Sequence, residues 1–134
     1  MTPEQTRLIQ ENFARIAPIA PAAAAMFYDR LFTLDPALRP LFKGDLVEQG
    51  RKLMAMIAPA VNNLHNLDAI LPAVRDLGRR HAGYGVAPAH YDTVAKALLW
   101  TLEQGLGADS TPAARVAWAQ CYSTLAGEMM AASA

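Results

Sequence analysis

The sequence lacks three features that would place a chain in a functional class at once. It has no net charge, because twelve basic residues balance twelve acidic ones, so no overall field attracts nucleic acid or an anionic membrane. Its single cysteine, Cys121, excludes an internal disulfide framework and is typical of a reducing compartment. The apolar run at residues 16–28 is too short to span a bilayer. Since the amino terminus also lacks a basic segment leading into an apolar one, we expect a cytoplasmic protein without a signal peptide.

Apolar residues recur at helical spacing along nearly the whole chain, and no segment shows the sustained alternation typical of a strand. Thr2 and Gln5 form the pattern of a capping box before the first helix, and Asp35 precedes a short helix that closes near Phe42. Prolines and glycines divide the remaining pattern. The sequence predicts about seven helices in one irregular all-α domain over residues 1–134, rather than an up-and-down bundle.

A longer helix is predicted after the turn at residues 43–45, with Leu46, Gly50 and Leu53 on one face. Pro59 lies inside this helix, where it removes a backbone hydrogen bond and is expected to kink the helix at a cost of about 3 kcal/mol. Residues 62–68 are predicted to form a connection.

His81 lies on the apolar stripe of the next helix, at helical spacing from Ile70, Val74 and Leu77, and the glycines that follow should end that helix. A buried imidazole needs partners for its nitrogens. His81 is therefore either a core histidine bonded to a carbonyl or a metal ligand. No second ligand stands three or four residues away, which argues against zinc and favours a metal that brings its other ligands with it.

Gln49 and Tyr28 are two weaker signals on inward-facing positions of their helices. Gln49 could cap the turn at Gly44 and Asp45, reach solvent or bind a ligand. The hydroxyl of Tyr28 could bond a backbone carbonyl, as most inward tyrosines do, or serve a site.

Other chemistry-bearing residues favour structural interpretations. His65 and His90 are expected to be solvated, and Cys121 is expected to be a small buried hydrophobe. We find no phosphate loop, dinucleotide fingerprint or serine nucleophile elbow.

Five blocks of the sequence carry a resemblance to a known family: MFYDRLF at 26–32, LDPALRPLF at 34–42, EQGRKLM at 48–54, LGRRHAGYGVAPAHY at 77–91 and AWAQCY at 117–122. Through these blocks the chain resembles the globin family. It is most similar to bacterial single-domain haemoglobins, the globin part of flavohaemoglobins and neuroglobin-like proteins. The resemblance implies a globin fold in which the helices pack around a pocket for haem b.

By that resemblance His81 is the proximal histidine that binds haem iron, and Phe42 stacks on the porphyrin. Tyr28 and Gln49 form the distal pair that faces a bound ligand, with Leu53 as the apolar wall between them. The other cofactor contacts that the resemblance implies are Leu77, Val86, Tyr91, Val94 and Leu98 on the proximal or inner side, and Lys52, Arg51 and Arg80 near the haem propionates.

The resemblance implies a pentacoordinate haem protein that binds O2, CO and NO and holds O2 tightly for storage, scavenging or sensing. An enzymatic alternative is a nitric oxide dioxygenase that receives electrons from an external reductase, and a third is a globin-fold module without haem. One departure concerns a carboxylate that joins the proximal histidine and tyrosine in flavohaemoglobins. Its position falls near Ser133, and Glu128 stands more than a turn early, which argues against peroxidase-like activation.

Overall fold

Six α-helices and four short 3₁₀ helices make up residues 1–133, the part of the chain that the structure, a computed structural model, describes. No strand occurs among these residues. The α-helices are α1 (Pro3–Ile16), α2 (Ala20–Leu34), α3 (Leu46–Asn62), α4 (Leu71–Gly83), α5 (Pro88–Leu106) and α6 (Pro112–Ser133). The 3₁₀ helices are Ala17–Ile19, Pro36–Leu41, Leu67–Ala69 and Gly107–Asp109.

The predicted helix starts are confirmed by the hydrogen bonds at their caps. The Thr2 hydroxyl accepts from the Gln5 N–H at 3.1 Å, and the Gln5 side chain accepts from the Thr2 N–H at 3.0 Å, which completes the capping box. Asp35 accepts from the Ala37 N–H at 3.1 Å and so opens the 3₁₀ helix Pro36–Leu41. Caps of this kind satisfy the orphan N–H groups of the first turn. The start of α1 and the start of this 3₁₀ helix could therefore be predicted from a few neighbouring residues.

His90, which the sequence places at a solvated helix start, lies in the first turn of α5 and is engaged with the backbone there. Its side chain is half-buried, and its Nδ1 accepts a hydrogen bond from the backbone N–H of Ala87 at 2.9 Å. His90 is the third residue of α5, and its side chain takes the role that a glutamate or glutamine at this position has in a capping box.

Pro59 lies in the last turn of α3, and the helix continues through it to Asn62. Only one backbone hydrogen bond is lost at this position, because proline lacks the N–H. The carbonyl of Pro59 accepts from both the backbone N–H and the side-chain amide of Asn63, at 3.0 and 2.7 Å. The predicted bend at Pro59 remains a prediction.

The core consists of two clusters. The first joins α1, α3, α5 and α6 around Ile9, Ile16, Leu102 and Trp118. The second, called here the aromatic cluster, is formed by Phe27, Tyr28, Leu31, Leu38 and Ala97, with Phe32, Leu41, Phe42, Leu46, Leu53, Val94 and Leu98 packed against it. Burial of one large apolar side chain contributes roughly 1.5–3 kcal/mol, so both clusters contribute strongly to stability.

A polar pair crosses the first cluster. The indole N–H of Trp118 donates to the side-chain oxygen of Asn12 at 3.1 Å, and both residues are buried. Since an unpaired buried donor costs about 1–3 kcal/mol, this bond specifies how α6 sits on α1.

The packing of the helices leaves α3 and α4 largely separate. Helix α4 packs extensively on α6, whereas α3 packs on α2 and α1, and α2 also packs on α5. Within residues 1–133, α3 and α4 make little or no direct contact with each other. Among the same residues, no helix has both the length and the apolar character needed to cross a bilayer.

Candidate functional site

His81 lies in the last turns of α4, half-buried, with one ring nitrogen committed to its own helix. Its Nδ1 lies 2.9 Å from the carbonyl oxygen of Leu77, one turn earlier. A carbonyl only accepts, so Nδ1 must carry the proton and donate. The neutral ring then keeps the lone pair on Nε2, which is the arrangement that second-shell hydrogen bonds impose on metal-binding histidines.

The surroundings of His81 favour this neutral form. Burial lowers the pKa of His81 below its ordinary value, and the charge of Arg80 lowers it further, while the hydrogen bond to Leu77 acts in the opposite direction. The net direction is downward and favours the uncharged imidazole, the form in which a histidine binds a metal.

The turn after His81 ends α4 at Gly83, as the glycines predicted. The carbonyl of His81 accepts hydrogen bonds from the backbone N–H groups of Tyr84, at 3.0 Å, and Val86, at 3.1 Å. Gly85 has a φ of +92°, a conformation that side-chain-bearing residues rarely adopt. This turn ends α4, and Val86, three residues after the helix end, is half-buried.

Tyr28 and Gln49 come together although they are 21 residues apart. Tyr28, only 4% exposed, lies on α2, and its hydroxyl donates to the backbone carbonyl of Gln49 on α3 at 3.3 Å. Bonding to a carbonyl was one of the two alternatives for this tyrosine. Burial raises the pKa of Tyr28 to about 12, with the contact to Gln49 acting in the opposite direction. The phenol therefore keeps its proton and remains a donor.

Aromatic rings hold Tyr28 in place. The ring of Phe42 meets it edge-on with 5.4 Å between centroids, and Phe32 stacks on it at 6.1 Å. Phe32 and Phe42 also contact each other edge-on at 5.4 Å. Our sequence interpretation did not include Phe32, although its position four residues after Tyr28 puts both rings on one helix face.

The aromatic cluster gathers most of the predicted pocket residues from separate elements. Tyr28 is part of it, and Phe42, Leu53, Val94 and Leu98 pack against it. Phe42 ends the 3₁₀ helix Pro36–Leu41, Leu53 comes from α3, and Val94 from α5. These side chains are only half-buried apart from Tyr28, so the cluster presents apolar surface rather than enclosing it.

The apolar stripe of α4 is likewise left partly uncovered. Ile70, Val74 and Leu77 are half-buried, and Gly78 is the only fully buried residue of the helix. A stripe of this kind normally faces protein core. The partly exposed stripe and the Nε2 of His81, which the Leu77 bond leaves available, would suit a flat apolar group that carries a metal.

The charged side chains expected near the propionates form pairs along their own helices. Arg80 lies 3.2 Å from Asp76, and Arg51 lies 3.2 Å from Glu48. Exposed pairs of this kind contribute little, about 0–1 kcal/mol, so they leave both arginines able to exchange partners. Lys52 is exposed. Their expected role toward propionates stays a prediction.

The acid nearest to the chain end is engaged with α4. Glu128 lies 3.2 Å from Arg75, and the Ser133 hydroxyl donates to the Met130 carbonyl at 3.0 Å. Tyr91 is buried, and its backbone carbonyl accepts from the Tyr122 hydroxyl at 2.7 Å. The hydrogen bond described for the His81 side chain goes to Leu77 rather than to a carboxylate.

A comparison with protein-family models matches the Globin model over residues 25–129, which is well over half of the chain. The chain belongs to the globin family. The matched range contains His81, Tyr28, Gln49 and Phe42. The predicted all-α globin fold is thereby confirmed. The sequence predicts about seven helices, and the structure has six α-helices, with the 3₁₀ helix Pro36–Leu41 where the short helix before Phe42 is predicted. Globins typically bind haem and, through it, small diatomic ligands such as O2. The role of each site residue in this globin remains a proposal.

Proposed function

We propose that this globin holds haem b through the Nε2 of His81 and binds O2 reversibly on the opposite side, where Tyr28 and Gln49 act as the distal pair. When bound, haem supplies the iron that takes a diatomic ligand. The observation that carries the proposal is the 2.9 Å hydrogen bond from His81 Nδ1 to the Leu77 carbonyl, which leaves Nε2 as the available ligand atom on a half-exposed apolar stripe.

The apolar residues around the site would exclude water from the bound ligand. Leu53, Phe42 and Leu77 present half-buried apolar surface from three different elements. A hydrogen bond is stronger in such a dry environment than in water. Hydrogen bonds from Tyr28 and Gln49 to a bound ligand would therefore be stronger than the same bonds in water.

Tyr28 and Gln49 would slow the release of O2. Tyr28 stays protonated because burial raises its pKa to about 12, and the amide of Gln49 also donates. A hydrogen bond to a group that carries charge is worth about 1.5–3 kcal/mol, and every 1.4 kcal/mol corresponds to about tenfold in affinity. Two such bonds would together raise the affinity for O2 by several orders of magnitude. Slow release suits storage, scavenging or sensing better than delivery.

The distal pair would also leave the sixth coordination position open. Neither a phenol nor a carboxamide normally ligates ferrous iron, whereas a histidine does. The protein is therefore proposed to be pentacoordinate before it meets O2, CO or NO.

The position of Glu128 favours binding over catalysis. Its carboxylate pairs with Arg75 at 3.2 Å, while His81 donates to a neutral carbonyl, which strengthens the ligand less than a carboxylate does. We therefore place reversible binding ahead of nitric oxide dioxygenase activity. Sustained consumption of nitric oxide by the O2-loaded protein, with a separate reductase supplied, would reverse that order.

An absorption spectrum tests the proposal directly. Protein produced with ample haem is reduced and measured with and without carbon monoxide, and wild type is compared with His81→Ala and His65→Ala. Wild type and His65→Ala are expected to show the same Soret band and its shift with carbon monoxide, because His65 is exposed in the connection after α3. His81→Ala is expected to lose stable haem. A colourless wild type, or a normal spectrum in His81→Ala, would overturn the proposal.

A further inference from the structure

We infer that Gly78 is a positioning residue: by letting α4 touch the backbone of α6, it determines where His81 stands relative to the haem iron. The inference rests on the proposed function in one respect, namely that His81 is the iron ligand. The contact itself is independent of it.

The contact at Gly78 is made between backbones. A Cβ added to Gly78 would lie 2.6 Å from the Cα and 2.7 Å from the carbonyl carbon of Met129, and closer still to its carbonyl oxygen. Because these are backbone atoms of α6, no side-chain rotation can relieve the contact. To bring all three atoms to the 3.4 Å of ordinary van der Waals contact, the two helices must separate by roughly one ångström.

The close backbone contact explains why a glycine stands in the middle of this helix. Relative to alanine it weakens a helix by about 1 kcal/mol, and its retention within a helical pattern usually reflects close packing or function. Gly78 is also the only fully buried residue of α4. Gly78 is therefore the residue at which α4 packs closely on the backbone of α6.

Helix α4 depends on α6 for its position. Among the described elements, α6 is the only α-helix on which α4 packs extensively, since α4 makes little or no contact with α3. The pair of Arg75 with Glu128 at 3.2 Å adds a second link across the same interface, next to Met129 in sequence. A change at this interface is not resisted by a helix on the other side.

Gly78 is close enough to His81 for such a change to reach the ligand. Residues three apart on a helix are surface neighbours, about one turn along the axis. A helical segment this short moves as a rigid unit, so a retreat of α4 from α6 at Gly78 carries the imidazole with it. Gly78 therefore acts on the iron only through His81, and it would contact neither the metal nor a bound O2 molecule.

The chain offers a matched control on the same helix. Gly83 lies two residues after His81, and a Cβ added there would meet nothing within 4 Å. Gly78→Ala and Gly83→Ala therefore make the same chemical change on α4 at similar distances from His81, one with a backbone collision and one without.

The test compares the haem-loaded wild type with Gly78→Ala and Gly83→Ala. The iron–histidine stretching band of the reduced, ligand-free protein is measured by resonance Raman, and the rate of haem loss by transfer to an excess of a haem-free acceptor. Gly78→Ala is expected to shift the band and to raise the rate of haem loss by about tenfold or more, the lower range for altered support of a metal ligand. Gly83→Ala is expected to match wild type in both. Adding Met129→Ala to Gly78→Ala is expected to restore neither, since the collision is with backbone.

The outcomes separate this inference from the proposed function. If wild type shows the iron–histidine band and Gly78→Ala leaves the band and the rate unchanged, or if Gly83→Ala shifts them equally, the inference is overturned while the proposed function stands. If wild type binds no haem through His81, the proposed function fails and the inference fails with it. If Gly78→Ala does not fold even with haem present, while Gly83→Ala does, Gly78 is required for the fold itself and the inference that it acts by positioning His81 is overturned.

Discussion

The hydroxyl of Tyr28 donates to the backbone carbonyl of Gln49 across 3.3 Å and so joins α2 to α3. This distance is beyond the usual 2.5–3.0 Å of an O–H···O hydrogen bond, so the bond is weak and the hydroxyl can exchange it for a better acceptor. The ring itself is held by Phe32 and Phe42. A fixed ring with a weakly held hydroxyl is well suited to serve a ligand that arrives later.

Replacement of Tyr28 by phenylalanine is expected to raise the O2 dissociation rate by at least about tenfold. The change removes one hydrogen bond to bound ligand, worth about 1.5–3 kcal/mol when the acceptor carries charge, and keeps the ring packing. Stopped-flow displacement of O2 by carbon monoxide measures the rate. Tyr122→Phe is the matched control, because that hydroxyl donates to the Tyr91 carbonyl at 2.7 Å and lies outside the distal pair. An unchanged rate in Tyr28→Phe would mean that the phenol does not serve the ligand.

Replacement of Gln49 by histidine is expected to close the sixth coordination position. An imidazole at this half-buried position of α3 can ligate ferrous iron, whereas the amide cannot. The reduced protein without added ligand is expected to change to a six-coordinate, low-spin spectrum, and carbon monoxide is expected to bind more slowly. Gln49→Leu should remain five-coordinate. A five-coordinate Gln49→His spectrum would place residue 49 away from the iron.

The free energy of unfolding is expected to fall between about pH 10 and pH 12. Burial raises the pKa of Tyr28 from 10.0 to about 12 and also raises that of Tyr122. The folded chain then holds these protons more tightly than the unfolded chain, so their contribution is complete below pH 10 and is lost as the pH rises. Urea unfolding at several pH values should show a slope reduced by up to about 1.4 kcal/mol per pH unit in Tyr28→Phe. A Tyr28→Phe slope equal to that of wild type would contradict the argument.

Removal of the Asn12 side chain is expected to destabilise the fold by about 1–3 kcal/mol. Asn12→Ala leaves the buried indole N–H of Trp118 without its acceptor. Urea unfolding measures the change, with Asn62→Ala as an exposed asparagine control on α3. A loss below about 0.5 kcal/mol would show that another acceptor replaces Asn12.

Several helix boundaries could be predicted because they depend on neighbouring residues. The caps at Thr2 and Asp35 involve partners two or three positions away, and the glycines after His81 end α4 as expected. His90 shows the limit of this approach, since its cap on Ala87 is equally local but uses a residue type that is seldom considered for it. Leu34 shows another limit: helical spacing puts it with Phe27 and Leu31, yet it is 39% exposed.

The sequence by itself determined the all-helical character of the chain, most of its helix ends and the identity of the three residues proposed to do the chemistry, His81, Tyr28 and Gln49. Only the tertiary structure decided that Gly78 seats α4 on Met129, that Trp118 meets Asn12, and that α3 and α4 stand apart. The physical reason is the separation in sequence between the residues that interact. A helix forms from hydrogen bonds between residues four positions apart, whereas these contacts join residues 51 and 106 positions apart and depend on how all the helices share the core.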